Sequence, residues 1–199
     1  DDGINADKSI IINGGYIYTH GTKNDGLDSN GTITINGGVI VAVGTQTPEE
    51  GIDCDRNNFT ITGGIILGIG GASSTPTSAT CTQPSLLYGG SCTAGTRISL
   101  LDADGNIVLS YVPETTFRQM TLLLSSPALS QGSAYTLVSG GTYTASVVTD
   151  ALSFHNLTNA GTLSSPTTLT TITLSSMVTT AGTTSGGGGG GNPGGNNPG

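Results

Sequence analysis

The feature that most constrains this chain is a repeat that occupies residues 1–71. Three units align, beginning at Asp1, Asn24 and Glu49, and matching positions recur every 23 to 26 residues. A unit of this length is too short to fold alone, so it can bury apolar side chains only by stacking on the next unit.

Apolar residues recur in register through the three units and form four columns. The columns are Ile4, Leu27 and Ile52; Ile10, Ile33 and Phe59; Ile12, Ile35 and Ile61; and Ile17, Ile40 and Ile66. Polar residues alternate with them, which is the period of strands with one buried face. Paired glycines at 14–15, 37–38 and 63–64 indicate a corner where the chain turns sharply. The pattern predicts a parallel β-helix of three rungs, because the competing leucine-rich repeat needs recurrent Leu and a helical segment that these units lack.

The composition also favours an all-β fold. Gly contributes 33 residues and charged residues only 9%, and Thr-rich sequences with few helix formers favour strands. The formal net charge of −8 argues against nucleic acid as a partner. No run of about 18 apolar residues is present, so we expect no membrane span, and the start at Asp1 without signal-peptide features is typical of a mature secreted segment.

The composition changes after the repeats. Residues 72–83 are rich in Ser, Thr and Pro, which predicts a linker. Residues 84–184 contain a hairpin with its turn at 102–106, further strand candidates and a Thr-rich strand at 169–180, so we expect an antiparallel β region. Residues 185–199 form a Gly, Asn and Pro tail, which by its composition should be flexible.

Short motifs in both regions resemble those of a known family. The triplets are Asp2-Gly3-Ile4, Asp25-Gly26-Leu27 and Glu50-Gly51-Ile52, and each precedes a strand and corner similar to TINGG. Together with the DADGN turn and the SSP, YTL and SGGTY segments downstream, they resemble the bacterial secreted carbohydrate-binding domain-containing β-helix proteins, which are similar in fold to polysaccharide lyases. The resemblance implies a right-handed parallel β-helix with bound calcium that binds polysaccharide without catalysis. Family members usually carry more rungs on the N-terminal side.

Acidic residues are concentrated in the repeats, where nine of the 13 occur by position 55. One column contains Asp2, Asp25 and Glu50, and a second contains Asn5, Asp28 and Asp53. Neighbouring strands lie about 4.8 Å apart, so these carboxylates repel one another. Raised pKa values, water and salt, or a hard cation can relieve the repulsion.

The acidic columns have two interpretations, which the residues alone leave open: a solvated edge of Asp-Gly turns, or a metal site. Calcium suits the second better than zinc, because the ligands are all oxygen and no His or Cys pair has zinc spacing. The family resemblance favours calcium. The ligands expected within it are Asp2, Asp25, Asp28, Glu50, Asp53 and Asp55.

Catalysis is not expected. The chain has no GxSxG elbow, and its two histidines, His20 and His155, are interpreted as ordinary surface residues. A lyase would need a base near calcium, whereas Lys8, Lys23 and Arg56 do not form one column. A polysaccharide lyase or hydrolase is therefore the less favoured hypothesis, and the turn at 102–106 lacks the further ligands of a calcium-binding EF-hand loop.

Tyr16 and Tyr18 are the candidate sugar-binding residues. Carbohydrate sites commonly use aromatic faces flanked by polar groups, but this chain has no Trp and only 6 Tyr, and packing at the sheet edges is the alternative role for each ring. Three cysteines are an odd number for an exported chain. Cys81 and Cys92 bracket ten residues that are interpreted as a loop, so a Cys81–Cys92 disulfide is preferred, with Cys54–Cys81 or an intermolecular bridge as alternatives.

These features lead to two hypotheses for a protein outside the cell or at its surface. The first is a calcium-stabilised module that binds polysaccharide within a structural assembly. The second is a filament subunit with no sugar ligand, which assembles with copies of itself through the open edge of the first rung and the backbone of the tail from Ser185.

Overall fold

The computed structural model describes residues 1–56, 58–148 and 151–185, which form an all-β structure without a helix. The predicted tail, apart from Ser185, lies outside the described residues. The strands are β1 (Ile4–Ala6), β2 (Ser9–Ile12), β3 (Tyr16–His20), β4 (Leu27–Ser29), β5 (Thr32–Ile35), β6 (Val39–Val43), β7 (Ile52–Cys54), β8 (Phe59–Ile61), β9 (Ile65–Gly70), β10 (Ser85–Cys92), β11 (Ile98–Leu101), β12 (Ile107–Tyr111), β13 (Phe117–Ser125), β14 (Ala134–Ser139), β15 (Thr142–Thr144), β16 (Ser153–Phe154), β17 (Leu157–Thr158), β18 (Thr162–Ser164), β19 (Thr167–Thr173) and β20 (Val178–Gly182).

The three repeats form three successive coils, at residues 1–23, 24–48 and 49–71. Each coil contributes one strand to each of three parallel arrangements, which are β1-β4-β7, β2-β5-β8 and β3-β6-β9. The predicted apolar columns are confirmed, because Leu27, Ile33 and Ile40 each pair with their column neighbours on both sides. The 23-to-26-residue period therefore specifies strand register directly.

The glycine corner is also confirmed. The second glycine of each pair has a positive φ, of 93° at Gly15, 99° at Gly38 and 98° at Gly64. A Cβ atom at Gly38 would lie 2.9 Å from the carbonyl oxygen of Gly15 in the coil before it. Only glycine combines this backbone conformation with such a close approach between coils.

The central layer of the molecule is a mixed sheet with the order β20-β10-β13-β9-β6-β3. It joins the coils to the C-terminal region, because β13 pairs antiparallel with β9 of the third coil. All five residues of β6 are buried, as expected of a strand covered on both faces.

The two faces of this central sheet pack into different hydrophobic cores. Ile40 and Ala42 of β6 face the interior of the coils, where they join the apolar columns. Val39, Val41 and Val43 belong to a second core, which is completed by the sheet β16-β17-β12-β11-β14-β19. Alternation along β6 thus assigns successive side chains to opposite cores.

Residues 72–83, predicted as a linker, cover the third coil. The amides of Ser74, Thr77 and Thr82 donate to the carbonyls of Ile52, Phe59 and Ile61. Ser73, Ser74, Cys81 and Gln83 are buried. The segment therefore supplies hydrogen-bond partners to strand edges that would otherwise be open.

The C-terminal region contains the predicted hairpin, in which β11 and β12 pair antiparallel across the turn at 102–106. The expected single strand at residues 169–180 is wrong. The chain divides there into β19, which pairs with β14, and β20, which runs parallel to β10 in the central sheet. Ser175 and Ser176 separate the two strands.

The register predicts opposite effects of a charge at two neighbouring positions of β5. Ile35 is fully buried, whereas Thr34 is partly exposed. Ile35→Asp should lower the free energy of unfolding by about 3 to 5 kcal/mol, because it leaves a buried charge without a partner, and Thr34→Asp should be tolerated. Urea denaturation followed by circular dichroism measures both. Equal losses would contradict the register.

Candidate functional site

The two acidic columns lie beside one another at β1, β4 and β7. Asn5 pairs with Asp28, and Asp28 with Asp53, in the parallel registers of these strands. The column of Asp2, Asp25 and Glu50 precedes the same strands by two residues. The predicted stacking of acidic residues is therefore confirmed.

Hydrogen bonds connect the first column from coil to coil. The amide of Asp25 donates to Oδ1 of Asp2 at 3.2 Å, and the amide of Glu50 donates to Oδ1 of Asp25 at 2.5 Å. In the second column, Nδ2 of Asn5 in the first coil donates to Oδ2 of Asp28 in the second coil. These bonds hold the carboxylates in place without neutralising their charge.

The carboxylates of three aspartates lie close together, and we call this group the carboxylate triad. One oxygen from each of Asp2, Asp25 and Asp28 lies within 4.8 Å of an oxygen of each of the other two carboxylates. Asp25 and Asp28 are each only 9% exposed. Oδ1 of Asp53, in the third coil, accepts a hydrogen bond from the Ser74 hydroxyl at 3.2 Å.

Glu50 continues the column of Asp2 and Asp25 into the third coil and is 2% exposed. Its Oε2 is buried and accepts no hydrogen bond from the described residues, whereas hydrogen bonds from Ser74 to the carboxyl group partly offset the rise in its pKa. A buried carboxylate oxygen without a donor is costly when charged, so it requires either a proton or a cation.

The electrostatic environment disfavours negative charge throughout this region. Burial raises the pKa of Glu50 to about 8, and it raises the pKa values of Asp25, Asp28 and Asp53 to about 6. The charges of neighbouring carboxylates raise each of these pKa values further. Asp55, for example, raises the pKa values of Asp28 and Asp53. Several of these groups therefore change charge between mildly acidic and mildly alkaline pH.

An oxygen-only donor set with excess negative charge fits a hard divalent cation. Calcium accepts six to eight oxygens at about 2.3 to 2.6 Å, including carboxylates and carbonyls. Of the six residues predicted as ligands, Asp2, Asp25 and Asp28 form the triad. Glu50, Asp53 and Asp55 lie in the third coil. The charges of Asp53 and Asp55 raise the pKa of Asp28 in the triad, and the charge of Asp53 also raises the pKa of Glu50.

The raised pKa values predict that the protein without metal becomes less stable as the pH rises. Unfolded carboxyl groups have pKa values of about 4, so the folded state binds more protons between about pH 4 and pH 8. The free energy of unfolding therefore falls across that window and levels off above it. Thermal unfolding in chelator at constant ionic strength measures the trend.

Substitution of the most shifted group locates the origin of this pH dependence. Glu50→Gln should reduce the dependence of the melting temperature on pH between pH 6 and pH 8. Asp104→Asn, in the exposed hairpin turn, should leave this dependence unchanged. A melting temperature that rises from pH 5 to pH 8, or an unaltered slope in Glu50→Gln, would contradict the assignment.

The two candidate tyrosines of β3 have different environments. The ring of Tyr18 stacks on His155, with centroids 3.9 Å apart and planes 3° from parallel. Tyr16 is 69% exposed and meets Phe154 edge to face at 5.4 Å. Tyr18 is therefore engaged by the protein, and Tyr16 keeps an exposed ring.

An open groove of about 640 Å³ runs beside Tyr16, and we call it the Tyr16 groove. Val39 and Ile65 contribute apolar side chains from the central sheet, and Ser153, Phe154 and Asn159 contribute from the strands of the second sheet and the turn after them. The groove thus combines aromatic, apolar and hydrogen-bonding groups, as ligand sites commonly do.

Sequence reasoning missed the aromatic partners of β3. His155 is exposed, as expected of a surface residue, and it lies in a tight turn with a φ of 41°, followed by Asn156 with a φ of 64°. Two consecutive residues in the left-handed region identify the two-residue turn that joins β16 and β17. The motif FHNL was the available signal, because Asn is tolerant of this conformation.

The predicted Cys81–Cys92 disulfide is wrong for this structure, in which all three cysteines are free. Cys81 is buried in the core of the coils, and its sulfur accepts a hydrogen bond from the amide of Ile61 at 3.2 Å. Cys92 packs against the other core. The strand β10 carries the chain from one environment to the other, and the sequence signal for a local loop was misleading.

The chain matches no protein-family model, and no curated protein or solved structure was found to match it. Within the part of the chain that the structure describes, no helix has the length and apolar character needed to cross a membrane.

Proposed function

We propose that this chain is a non-catalytic carbohydrate-binding protein that acts outside the cell or at its surface, within a structural assembly. The observation that carries the proposal is the exposed ring of Tyr16 at the edge of the Tyr16 groove. The apolar C–H face of a sugar can stack on such a ring, while sugar hydroxyls hydrogen-bond to Ser153 and Asn159.

The scaffold in this proposal is a right-handed parallel β-helix formed by the three coils. Each coil adds one strand to each of the same three sheets, and each added strand is parallel to the matching strand of the coil before it. Connections between parallel strands of one sheet are right-handed in about 98% of cases. This general rule supports the proposed hand.

Calcium is the proposed resident ion, and Asp2, Asp25 and Asp28 would hold it. Bound there, the ion would supply positive charge that offsets repulsion between the columns. The buried, unpaired Oε2 of Glu50 and the raised pKa values of its neighbours support a local need for a cation. In this proposal the role of the ion is structural.

The second candidate function is a self-assembling subunit without a sugar ligand. The strands of the first coil, β1, β2 and β3, each lie at the edge of their sheets. Ile4 is 40% exposed and Ile11 is 63% exposed on these strands. Open parallel edges at one end of the molecule support strand addition by another chain.

Calcium should raise the melting temperature of the chelator-treated protein. A ligand that binds only the folded state at about 100 times its Kd adds about 2.7 kcal/mol. Asp28→Ala should reduce the increment caused by calcium, and Asp104→Ala, which removes an equal charge far from the triad in sequence, should preserve it. The quantity to compare is the calcium-induced increment, since Asp28→Ala also removes repulsion from the apoprotein.

An unchanged melting curve on addition of calcium would contradict the metal site. Equal increments in the two variants would contradict the proposed ligands.

Tyr16→Ala should weaken polysaccharide binding about tenfold, which corresponds to about 1.4 kcal/mol. Ile11→Ala is the matched control, because Ile11 is similarly exposed but lies on β2, outside the groove. Calorimetric titration with a panel of soluble polysaccharides measures both.

Equal affinities of the two variants would contradict the Tyr16 groove as the sugar site. A protein that binds no member of the panel and sediments as long particles would favour the self-assembling subunit.

A further inference from the structure

A second cleft lies next to the Tyr16 groove and contains a basic side chain. Its volume is about 410 Å³, and Arg97, Tyr143, Ser153, Asn156 and Thr158 are among the residues that line it. We call it the Arg97 cleft. Ala151, Leu152 and Ser153 line both cavities, so an extended ligand can pass from one to the other.

Arg97 is held firmly but keeps unused donors. One guanidinium nitrogen donates to the hydroxyl of Ser110 at 2.9 Å, and the Ser110 hydroxyl in turn lies 2.7 Å from that of Ser99. Ser99 and Ser110 are each 1% exposed. Because a guanidinium has five N–H donors, most of them have no hydrogen-bond acceptor among the described residues.

The aromatic wall beside Arg97 is equally constrained. The guanidinium carbon lies 3.8 Å from the centre of the Tyr143 ring, and the Tyr143 hydroxyl donates to the carbonyl of Ala160 at 3.0 Å. Gly161 has a φ of 105°, and a Cβ atom there would lie 2.6 Å from the ring. The ring and the cation therefore form a preorganised pair.

Among the described residues, no carboxylate forms an ion pair with Arg97. The chain has only 5 Lys and Arg against 13 acidic residues, so a half-buried cation in a cleft is an unusual charge for this surface. Arginine is suited to planar carboxylates, which it binds through two parallel N–H···O bonds.

We propose that the Arg97 cleft binds the carboxylate of a uronic acid residue, so that the polysaccharide recognised by this protein is an acidic one. Arg97 takes the carboxylate, while the hydroxyl of Ser153 and Oδ1 of Asn156 offer hydrogen bonds to the hydroxyls of the same sugar. Nδ2 of Asn156 is occupied, because it donates to Oε1 of Glu114. The next sugar of the chain extends past Ser153 toward Tyr16. The inference rests on the proposed carbohydrate binding and specifies its substrate class.

The test compares oligomers of galacturonate, glucuronate and guluronate with the same oligomers after reduction of their carboxylates to neutral alcohols. Titrations are made at a fixed calcium concentration. The full-length protein should bind at least one acidic oligomer about tenfold more tightly than its reduced form. Added salt should diminish this preference.

Arg97→Gln should remove the preference for the acidic oligomer over its reduced form. Arg97→Lys should give an intermediate preference, because it keeps the charge without the two-pronged geometry. Arg118→Gln is the control, since it removes an equal charge at an exposed position of β13 that does not line the cleft. The comparison of acidic with reduced oligomers on the unmodified protein remains decisive if a variant fails to fold.

Equal binding of acidic and reduced oligomers would overturn this inference and leave the Tyr16 groove intact. A preference that survives in Arg97→Gln would overturn it as well, as would tighter binding of an acidic peptide such as polyglutamate. Failure of every oligomer, acidic or neutral, would overturn the proposed function together with this inference.

Discussion

The structure depends on one sheet whose inner strands are buried on both faces. A strand such as β6 has no solvent-facing side, so each of its residues must suit one of two cores. The coils and the C-terminal strands are joined through this sheet, because β13 adds to the edge of β9. Burial of a large aliphatic side chain stabilises a protein by about 1.5 to 3 kcal/mol, and the central sheet contributes such side chains in two directions.

The acidic columns oppose this stabilisation. The same register that stacks isoleucine on isoleucine also stacks aspartate near aspartate, and parallel pairing offers no means to separate them. The hydrogen bonds between the columns fix the carboxylate positions, and burial raises the pKa values. The coils therefore combine a strongly favourable core with an electrostatic cost along one side, which protons or a cation can relieve.

The predictable parts of the fold are those in which neighbours are related by a constant sequence separation. The apolar columns, the glycine corner and the acidic columns all follow from one period, and the hairpin of β11 and β12 follows from a local turn. The strand β10 was missed because the residues between Cys81 and Cys92 were interpreted as a loop, whereas Gly89 lies within that strand, where a Cβ atom would collide with the backbone of Thr183.

The remaining features of the site could not be predicted because they join distant parts of the chain. Tyr18 meets His155, and Arg97 meets Tyr143, only after the second sheet has packed on the first. Nothing in the spacing of these residues indicates the contacts. For the same reason, Cys81 and Cys92 were interpreted as the ends of one loop, although they pack against different cores.

The alternation along β6 also limits how the length of this protein can change. One residue inserted at the start of that strand would place Ile40 in the core that now contains Val41, and Val41 in the core that now contains Ile40. The later side chains of the strand would change faces in the same way. An insertion of a whole coil would avoid this exchange, because it restores each column one layer further along. Natural or engineered relatives of this chain should therefore differ in length by complete repeats within the coils, and by single residues only in the turns that leave the sheets.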